Sequence, residues 1–372
     1  TIAEVHALNA LFVAALLCLL APIVFRGKPI SVFQLSLACF IWGLGLAHQL
    51  TLAALAPLFF VTVRRSLVTH HSSLVTHYAV RLTQYALFFL LGLSAYLLIL
   101  PRAAVQPPVN WLGPVTLENF WSLITAELYR GYAFAVPLSD YPTRLIALAQ
   151  LLVAQFGWIG LGLIALGAIN ARRKLVALLV SIALYVIFAL GYNTADSQLY
   201  LIPVWLFGAW AIAAGAQTLT HHAHLPWRAV PGSLVTRHSS LVTLLFIALI
   251  PGLSIATHFT TQDLHADRAA ADFAQAAFTA APANAVILTH LDAHTFTLWY
   301  YRQVEQQRPD VAVIDARLAA YPWYDWMLRA QAQALKIVEF DPEATWLDRL
   351  RSANPTRPLC NIDAATAQLD CP

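Results

Sequence analysis

The sequence predicts a polytopic α-helical membrane protein of about eight crossings followed by a small C-terminal α/β soluble domain. Three observations predict it. Hydrophobic residues make up 59% of the 372 and charged residues only 11%, with a mean hydropathy of +0.64, whereas a soluble domain is about one-quarter charged. The charges are clustered, so the apolar stretches between them reach the roughly 20 residues a helix needs to cross a bilayer. From His258 onward the composition becomes that of a water-soluble chain. A net charge of +3 predicts no nucleic-acid partner.

Apolar spans run near Val5–Phe25, Val80–Leu100, Leu145–Ala168, Leu175–Leu190, Leu199–Gln217 and Leu241–Thr257. Between Val32 and Val63 lies a longer run. As one helix it would reach roughly 46 Å, against a hydrocarbon core of about 30 Å. It is therefore expected to fold back near His48 as two short crossings. Basic residues test this count, because they gather on the cytoplasmic side. Arg26 and Lys28, then Arg64, Arg65 and Arg81, then Arg172, Arg173 and Lys174, then Arg228 and Arg237 all fall on that side when the crossings number eight. The opposite face receives Thr1–Glu4, the turn at His48, the loop 102–144, the turn Tyr192–Ser197 and the tail.

The expected domains are a transmembrane part, 1–257, and an extracytoplasmic α/β part, 258–372. In the tail, Asp263–Ala280 reads as an amphipathic helix, "AVILTHL" as a buried strand, His294–Gln306 as a helix and "DVAVID" as a second strand, together a βαβ unit. In the loop, "TLENFWSLITAELYRGY" has apolar residues at helical spacing and predicts a helix lying along the membrane surface. Cys18 and Cys39 lie in apolar runs as packing thiols, whereas Cys360 and Cys371 could pair if the tail faces an oxidising compartment. The chain opens on Thr1, and its only methionine is Met327. "HALNALFVAALLCLLAPIVF" lacks the basic start and small-residue cleavage site of a signal peptide, so the sequence is expected to begin inside the protein.

A heptad recurs as "SLVTHHSSLVTHY" from Ser66 and "SLVTRHSSLVT" from Ser233. His70, His71 and His77 lack the i, i+4 spacing that puts two imidazoles on one helical face, and the second copy has Arg237 and Leu244 where the first has His70 and His77. A low-complexity linker in the cytoplasmic loops 64–80 and 220–240 is preferred over a metal site. "THHAH" at Thr220–His224 is discounted in the same way, and no metal ligands are assigned.

Chemistry is expected where polar groups meet the outer membrane boundary, since burying them there is costly. Glu4 is either a base or metal ligand, or a helix N-terminal acid favoured by the dipole. His48 and Gln49 either solvate a tight turn or address a phosphate or hydroxyl. Glu118, Glu127, Tyr129 and Arg130 accompany Trp111, Phe120 and Trp121 in the loop. Interfacial anchoring is expected of both tryptophans, and a bidentate grip on a lipid phosphate of Arg130. "GYNTADSQLY" gathers Tyr192, Asn193, Asp196, Gln198 and Tyr200, with Asp196 either capping the next helix or pointing into a cavity. In the tail, Asp292 is expected as an N-cap rather than a catalytic acid.

The segments "AEVHALNALFVA", "GLGLAHQLTL", "TLENFWSLITAELYRGY", "LGYNTADSQLYLIPVWL" and "NAVILTHLDAHTFTLWYYRQVEQQRPDVAVID" together resemble the bacterial membrane family called domain of unknown function 2723. That family is grouped with the GT-C glycosyltransferases and is related to a eukaryotic protein O-mannosyltransferase. The likeness covers most of the chain in order, excluding the heptad loops. It implies a multi-pass enzyme of the cell membrane that takes sugar from a polyprenyl-phosphate donor, at the extracytoplasmic face, to a hydroxyl of a protein or glycan acceptor. It leaves a divalent cation open. By position, Glu4 matches the acid of the family's AEVY-like stretch, His48 its histidine-bearing turn, Arg130 the basic end of its loop helix, and Asn193 with Asp196 its outer-turn polar pair. His6 stands where the family usually has Tyr, and Gln49 where a second His is frequent. The resemblance thus implies Glu4, His48 and Asp196 as catalytic candidates and Arg130, Asn193 and Tyr192 as donor-phosphate candidates. Glu127, Trp121 and Asp292 are substrate candidates, and membrane lipids are partners. The family's first helix and acidic outer loop are expected upstream of Thr1. A non-catalytic remnant lacking that loop, or a transporter or flippase of lipid-linked glycans, are the rivals; a transporter would place ionisable residues near the midplane, where these spans have almost none.

Overall fold

The computed structural model describes residues 5–25, 28, 30–69, 75–171, 176–223, 252–253, 255–331, 335–337 and 345–371. In chain order its helices are α1 (Val5–Phe25), α2 (Val32–His48), α3 (Ala56–Thr69), α4 (Val75–Leu93), α5 (Ile99–Ala104), α6 (Leu117–Ile124), α7 (Tyr141–Ala171), α8 (Val176–Gly191), α9 (Ile202–Ala223), α10 (Ala269–Ala280), α11 (Asp292–Gln303), α12 (Pro322–Gln331) and α13 (Trp346–Ala353). The strands are β1 (Val286–Thr289), β2 (Ala312–Asp315), β3 (Leu359–Ile362) and β4 (Leu369–Asp370). Two units emerge: a helical one, Ile2–Tyr96 with Leu128–Gln262, and a tail unit, Leu97–Glu127 with Asp263–Pro372.

Among the described residues, five helices are long and apolar enough to cross a membrane: His6–Val24, Leu50–Leu67, Tyr78–Ala104, Leu138–Ile169 and Ser197–Thr218. Val32–His48 and Val176–Gly191 are shorter apolar helices. This is fewer than the expected eight crossings, partly because most of the run 241–257 lies outside the described residues. Also outside them are Glu4, the second heptad and the basic run 172–174.

The expected fold-back near His48 is present. A capping box opens α2, with Ser31 Oγ accepting from Gln34 N–H (3.1 Å) and Gln34 Oε1 accepting from Ser31 N–H (3.2 Å). The helix ends at His48 because Gln49 is extended (φ −150°, ψ 119°). The chain then reverses through a 3-10 turn, Leu50–Leu55, into α3. Trp42 Nε1–H donates to Leu52 O (2.9 Å), and the indole stacks on Phe59 with ring centroids 4.3 Å apart. A continuous helix would hold Trp42 and Phe59 about 25 Å apart.

With little hydrophobic drive between helices in lipid, close backbone approach through small residues takes over. Gly43 on α2 lies against Phe89 O, and Gly92 on α4 against Phe40 O; a Cβ on either would stand 2.1 Å from that oxygen. Gly167 and Gly215 make the same reciprocal contact between α7 and α9. The helix α7 breaks at Gly157 (φ 61°, ψ 173°), a conformation only glycine adopts readily. One core, drawn from α1, α2, the 3-10 turn Leu50–Leu55, α3, α4, α8 and α9, fills the helical unit, with Leu16, Leu35, Leu52, Tyr185 and Phe207 almost fully buried.

The tail unit holds a four-stranded sheet in the order β2-β1-β3-β4, with β1 parallel to β2 and β3, and β4 antiparallel to β3. The expected βαβ unit is β1-α11-β2. Both strands are buried along their whole length, as a parallel strand covered on each face requires. Cys360 and Cys371 form a disulfide next to the β3/β4 register pair Asn361 and Asp370. The loop helix α6 is shorter than its sequence pattern, ending at Ile124 before a 3-10 turn, Glu127–Tyr132. Trp111, expected as an interfacial anchor, instead packs on Trp323 with centroids 5.1 Å apart. Gly113 (φ 51°) lets the loop pass against the Trp326 ring.

Candidate functional site

In the helical unit the polar apex is built around the end of α8. A helix leaves its last carbonyls without intrahelical partners. Here one guanidinium collects them: Arg144 Nη1 donates to Tyr192 O (2.8 Å), Leu190 O (3.3 Å) and Ala189 O (3.5 Å), and to Ser197 Oγ (3.3 Å). A cation at a helix C-terminus also meets the negative end of the macrodipole. Arg144 thus fixes the turn "YNTADS". Asn193 ties it to the neighbouring loop, its N–H donating to Tyr132 O (2.9 Å) and its Nδ2 to Ala135 O (3.4 Å). Tyr192 is buried, stacked on Phe188 (5.0 Å) and edge-on to Tyr200 (5.3 Å) and Tyr132 (6.2 Å). Burial pushes its phenol above the ordinary range, and the Tyr200 and Asp196 charges add to that. It therefore stays protonated at neutral pH. Asp196 is exposed at the start of the 3-10 turn Ser197–Leu201 and makes no side-chain capping bond. Of the two roles expected of it, capping is thereby corrected.

The first turns of α1 connect this turn to His48. His6 meets Tyr200 edge-on at 6.2 Å, and Phe12 meets His48 at 5.8 Å. Those two α1 residues are about 9 Å apart along the helix. Asn9 lies between them, fully buried, with neither amide atom hydrogen-bonded among the described residues. His6 Nδ1, Gln49 Oε1 and Thr51 Oγ1 are likewise buried without partners there. Each such atom costs roughly 1–3 kcal/mol if nothing answers it. The structure thus links His48 to the Tyr192–Ser197 turn only through α1, by way of Phe12 and His6, and Asn9 is a residue the sequence reading missed. Its signal was there: Asn9, Val13, Leu16 and Leu20 recur at core spacing, and an amide stands in an apolar series.

The loop residues are dispersed by comparison. Trp121 is exposed, and Ser122 Oγ donates to Glu127 Oε2 (2.5 Å). Arg130 is exposed in the turn Glu127–Tyr132 and is already engaged. At the end of the Tyr78–Ala104 span, the tail unit has a cavity of about 470 Å³ walled by Leu98, Ile99, Val109, Trp111 and Leu123, with Arg102 the only charged lining residue among the described residues. Asn110 also lines it, but its Nδ2 is committed to Ala103 O (3.1 Å). Arg102 entered the sequence reading only as a loop boundary.

Asp292 stands at the C-terminal edge of the parallel strands, where open α/β sheets commonly bind ligands. Leu291 occupies the N-cap position, so Asp292 does not cap α11; it pairs with Arg317 instead. Arg317 Nη2 also donates to Asp315 Oδ2 (2.7 Å), and Thr295 Oγ1 donates to the same oxygen (2.9 Å). Asp315 is only 2% exposed. His290 Nε2 and Asn361 Oδ1 meet at 2.7 Å alongside. One guanidinium thus bridges two carboxylates, in a network that holds β1, β2 and α11 together. Among the described residues, no group of three or more His, Cys, Asp or Glu side chains is disposed to hold a metal.

Fold and apex together define a membrane-associated, mainly helical protein with a small α/β region in its tail. Within it, residues 270–345 match the family described as TMEM260-associated domain 2, a stretch running from α10 through α12. No curated protein and no solved structure matches the chain.

Proposed function

We propose that the protein is a membrane glycosyltransferase that moves a sugar from a polyprenyl-phosphate donor to an acceptor hydroxyl at the extracytoplasmic face. The cavity beside Arg102 carries this reading: apolar walls with a single guanidinium, at the end of a membrane-length helix, suit an amphiphile with an anionic head. The ordered resemblance to the GT-C-like family supports it, as does the cluster of unsatisfied polar groups around Asn9, Gln49 and Thr51. The disulfide supports an extracytoplasmic tail, since disulfides persist in oxidising compartments.

In the reaction, the acceptor oxygen attacks the anomeric carbon and the bond from that carbon to the phosphate oxygen breaks. The electron pair leaves on the lipid phosphate, and the hydroxyl proton passes to a carboxylate. Asp196, exposed in the turn after α8, is the described candidate for that base, and Glu4 is the other carboxylate that the resemblance implies. Arg130, in the same helical unit as Asp196, is the candidate the resemblance implies for stabilising the departing phosphate.

A second reading has one observation in its favour. The break at Gly157 makes α7 a discontinuous helix, a feature of transporters. Purified protein in detergent, given a polyprenyl-phosphate sugar and a hydroxylated acceptor, separates the two. Sugar transfer is expected without a sealed compartment, falling at least tenfold in Arg102→Gln. Movement of lipid-linked glycan across vesicles with no transfer in detergent would replace the enzyme by the transporter.

A further inference from the structure

The tail unit contains a second concave site, independent of the proposed transferase chemistry. It is a cavity of about 450 Å³ at the edge where β1 and β3 begin, beside the C-terminal end of α13. We infer that this cavity binds a phosphate group carried on a small apolar or ring-bearing body, with Arg351 and Arg357 as its two anion-holding side chains.

The charge distribution in the lining points there. Among the described residues, Arg351 and Arg357 are its only charged lining residues, and no carboxylate lines it. The third polar residue, Asn354, is committed: its Nδ2 donates to Lys336 O (2.7 Å) and Leu350 O (2.9 Å), and its Oδ1 accepts from Lys336 N–H (2.9 Å). Elsewhere in the unit, Arg308 is paired with Asp310, and Arg317 with Asp315 and Asp292. Arg357 makes one hydrogen bond, to Asn284 O (3.3 Å), and neither it nor Arg351 has an ion-pair partner among the described residues.

A third cation stands behind them. Arg302 is 8% exposed and spends its donors on Val311 O (2.5 Å) and Pro309 O (3.4 Å). Burial lowers its pKa first and the positive charge of Arg357 lowers it further, with Asp310 opposing them, so the two guanidiniums are close enough to repel. The end of α13 offers only about half a negative charge against this. Arg351 and Arg357 therefore face the cavity without a carboxylate beside them among the described residues.

The walls set the rest of the ligand. Val286, Leu350, Pro355, Pro358 and Leu359 are apolar, and the volume lies within the 300–1,000 Å³ range of small-molecule sites, more than a bare phosphate fills. Planar guanidiniums grip phosphate bidentately, which favours a phosphate over a single carboxylate. The phosphate could arrive on a soluble ester or on a lipid headgroup, and the two are separable.

The test is calorimetric titration of the full-length protein in detergent with phenyl phosphate and with inorganic phosphate. Saturable binding of phenyl phosphate is expected, about tenfold tighter than inorganic phosphate and weakening with added salt. Arg351→Gln combined with Arg357→Gln should weaken it at least tenfold, while Arg268→Gln, a surface change elsewhere, leaves it intact. If the double variant fails to fold, Arg351→Gln alone decides, because that side chain is exposed and makes no bond whose loss would unfold the unit. Repeating the titration in nanodiscs distinguishes the sources: phosphatidic acid that blocks phenyl phosphate, where phosphatidylcholine does not, assigns the site to a lipid headgroup, and equal binding in both assigns it to a soluble ester. Absence of saturable binding, or binding indifferent to both arginine substitutions, overturns the inference.

Discussion

The contact between α2 and α4 yields the most direct test of the fold. In Gly92→Ala the new Cβ would stand 2.1 Å from Phe40 O and 2.6 Å from Leu44 N, against an ordinary contact of 3.4 Å or more. Both atoms are backbone, so no side-chain rotation relieves the overlap and the helices must separate by about 1 Å. Overpacking of this kind costs about 1–3 kcal/mol, and separation loses the interhelical packing as well. Alanine recovers up to about 1 kcal/mol of helix propensity over glycine. The net expectation is a loss of about 1–2 kcal/mol, read as a lower Tm in detergent. Gly162→Ala is the matched control, because nothing lies within 4 Å of a Cβ there; it keeps only the propensity gain. Combining Gly43→Ala with Gly92→Ala should cost less than the two separately, since either one already opens the same interface. If Gly92→Ala melts with Gly162→Ala, at or above the parent protein, the close helix contact is wrong.

Three further outcomes follow from the same structure. Burial raises the Asp315 carboxyl, but hydrogen bonds from Arg317 and Thr295 outweigh it and hold the group below the usual carboxylate range. Its stabilisation is complete above the unfolded value of about 3.9 and is lost as pH falls through the lower folded value; Asp315→Asn should cost about 1–3 kcal/mol at pH 7 and flatten the acid side of a Tm-against-pH curve. Alkylation of the denatured, unreduced chain should modify two of its four cysteines, Cys18 and Cys39, and all four after reduction, as mass spectrometry would show. Arg144→Ala strips the end of α8 of its donor, so a loss of about 1–3 kcal/mol is expected together with faster hydrogen exchange in the Tyr192–Ser197 turn.

What the sequence made legible is what one-dimensional patterns encode. Apolar length located α1, α4, α8 and α9, and excess length located the reversal after His48. Alternation between apolar strands and a helical stretch located β1, α11 and β2. Hydrophobic pattern reports that a residue is buried but not which distant residue buries it. Gly43 and Gly92 are therefore unremarkable glycines in sequence, and their meaning exists only once two helices nearly 50 residues apart lie side by side. Gly157 sits in an unbroken apolar run, so nothing local announces the break in α7.

The polar residues divide along the same line. Asp292 precedes a helix and looks like a cap; the competing partner, Arg317, is 25 residues away, and an ion pair reinforced through buried Asp315 outweighs a capping bond. Arg102 and Arg144 bracket the outer loop in sequence, yet one lines an apolar cavity while the other closes a helix end 45 to 53 residues further on. The decisive difference is whether the guanidinium finds protein acceptors. Arg144 spends its donors on three carbonyls and a hydroxyl, which makes it a structural residue even though it stands beside the apex. Among the described residues, Arg102, Arg351 and Arg357 lack a carboxylate within salt-bridge distance, and each faces a concave surface. For a chain with so few charges, a guanidinium at the rim of a hollow with no carboxylate beside it among the described residues leaves donors free for an anionic ligand, which a charge located by sequence alone does not reveal.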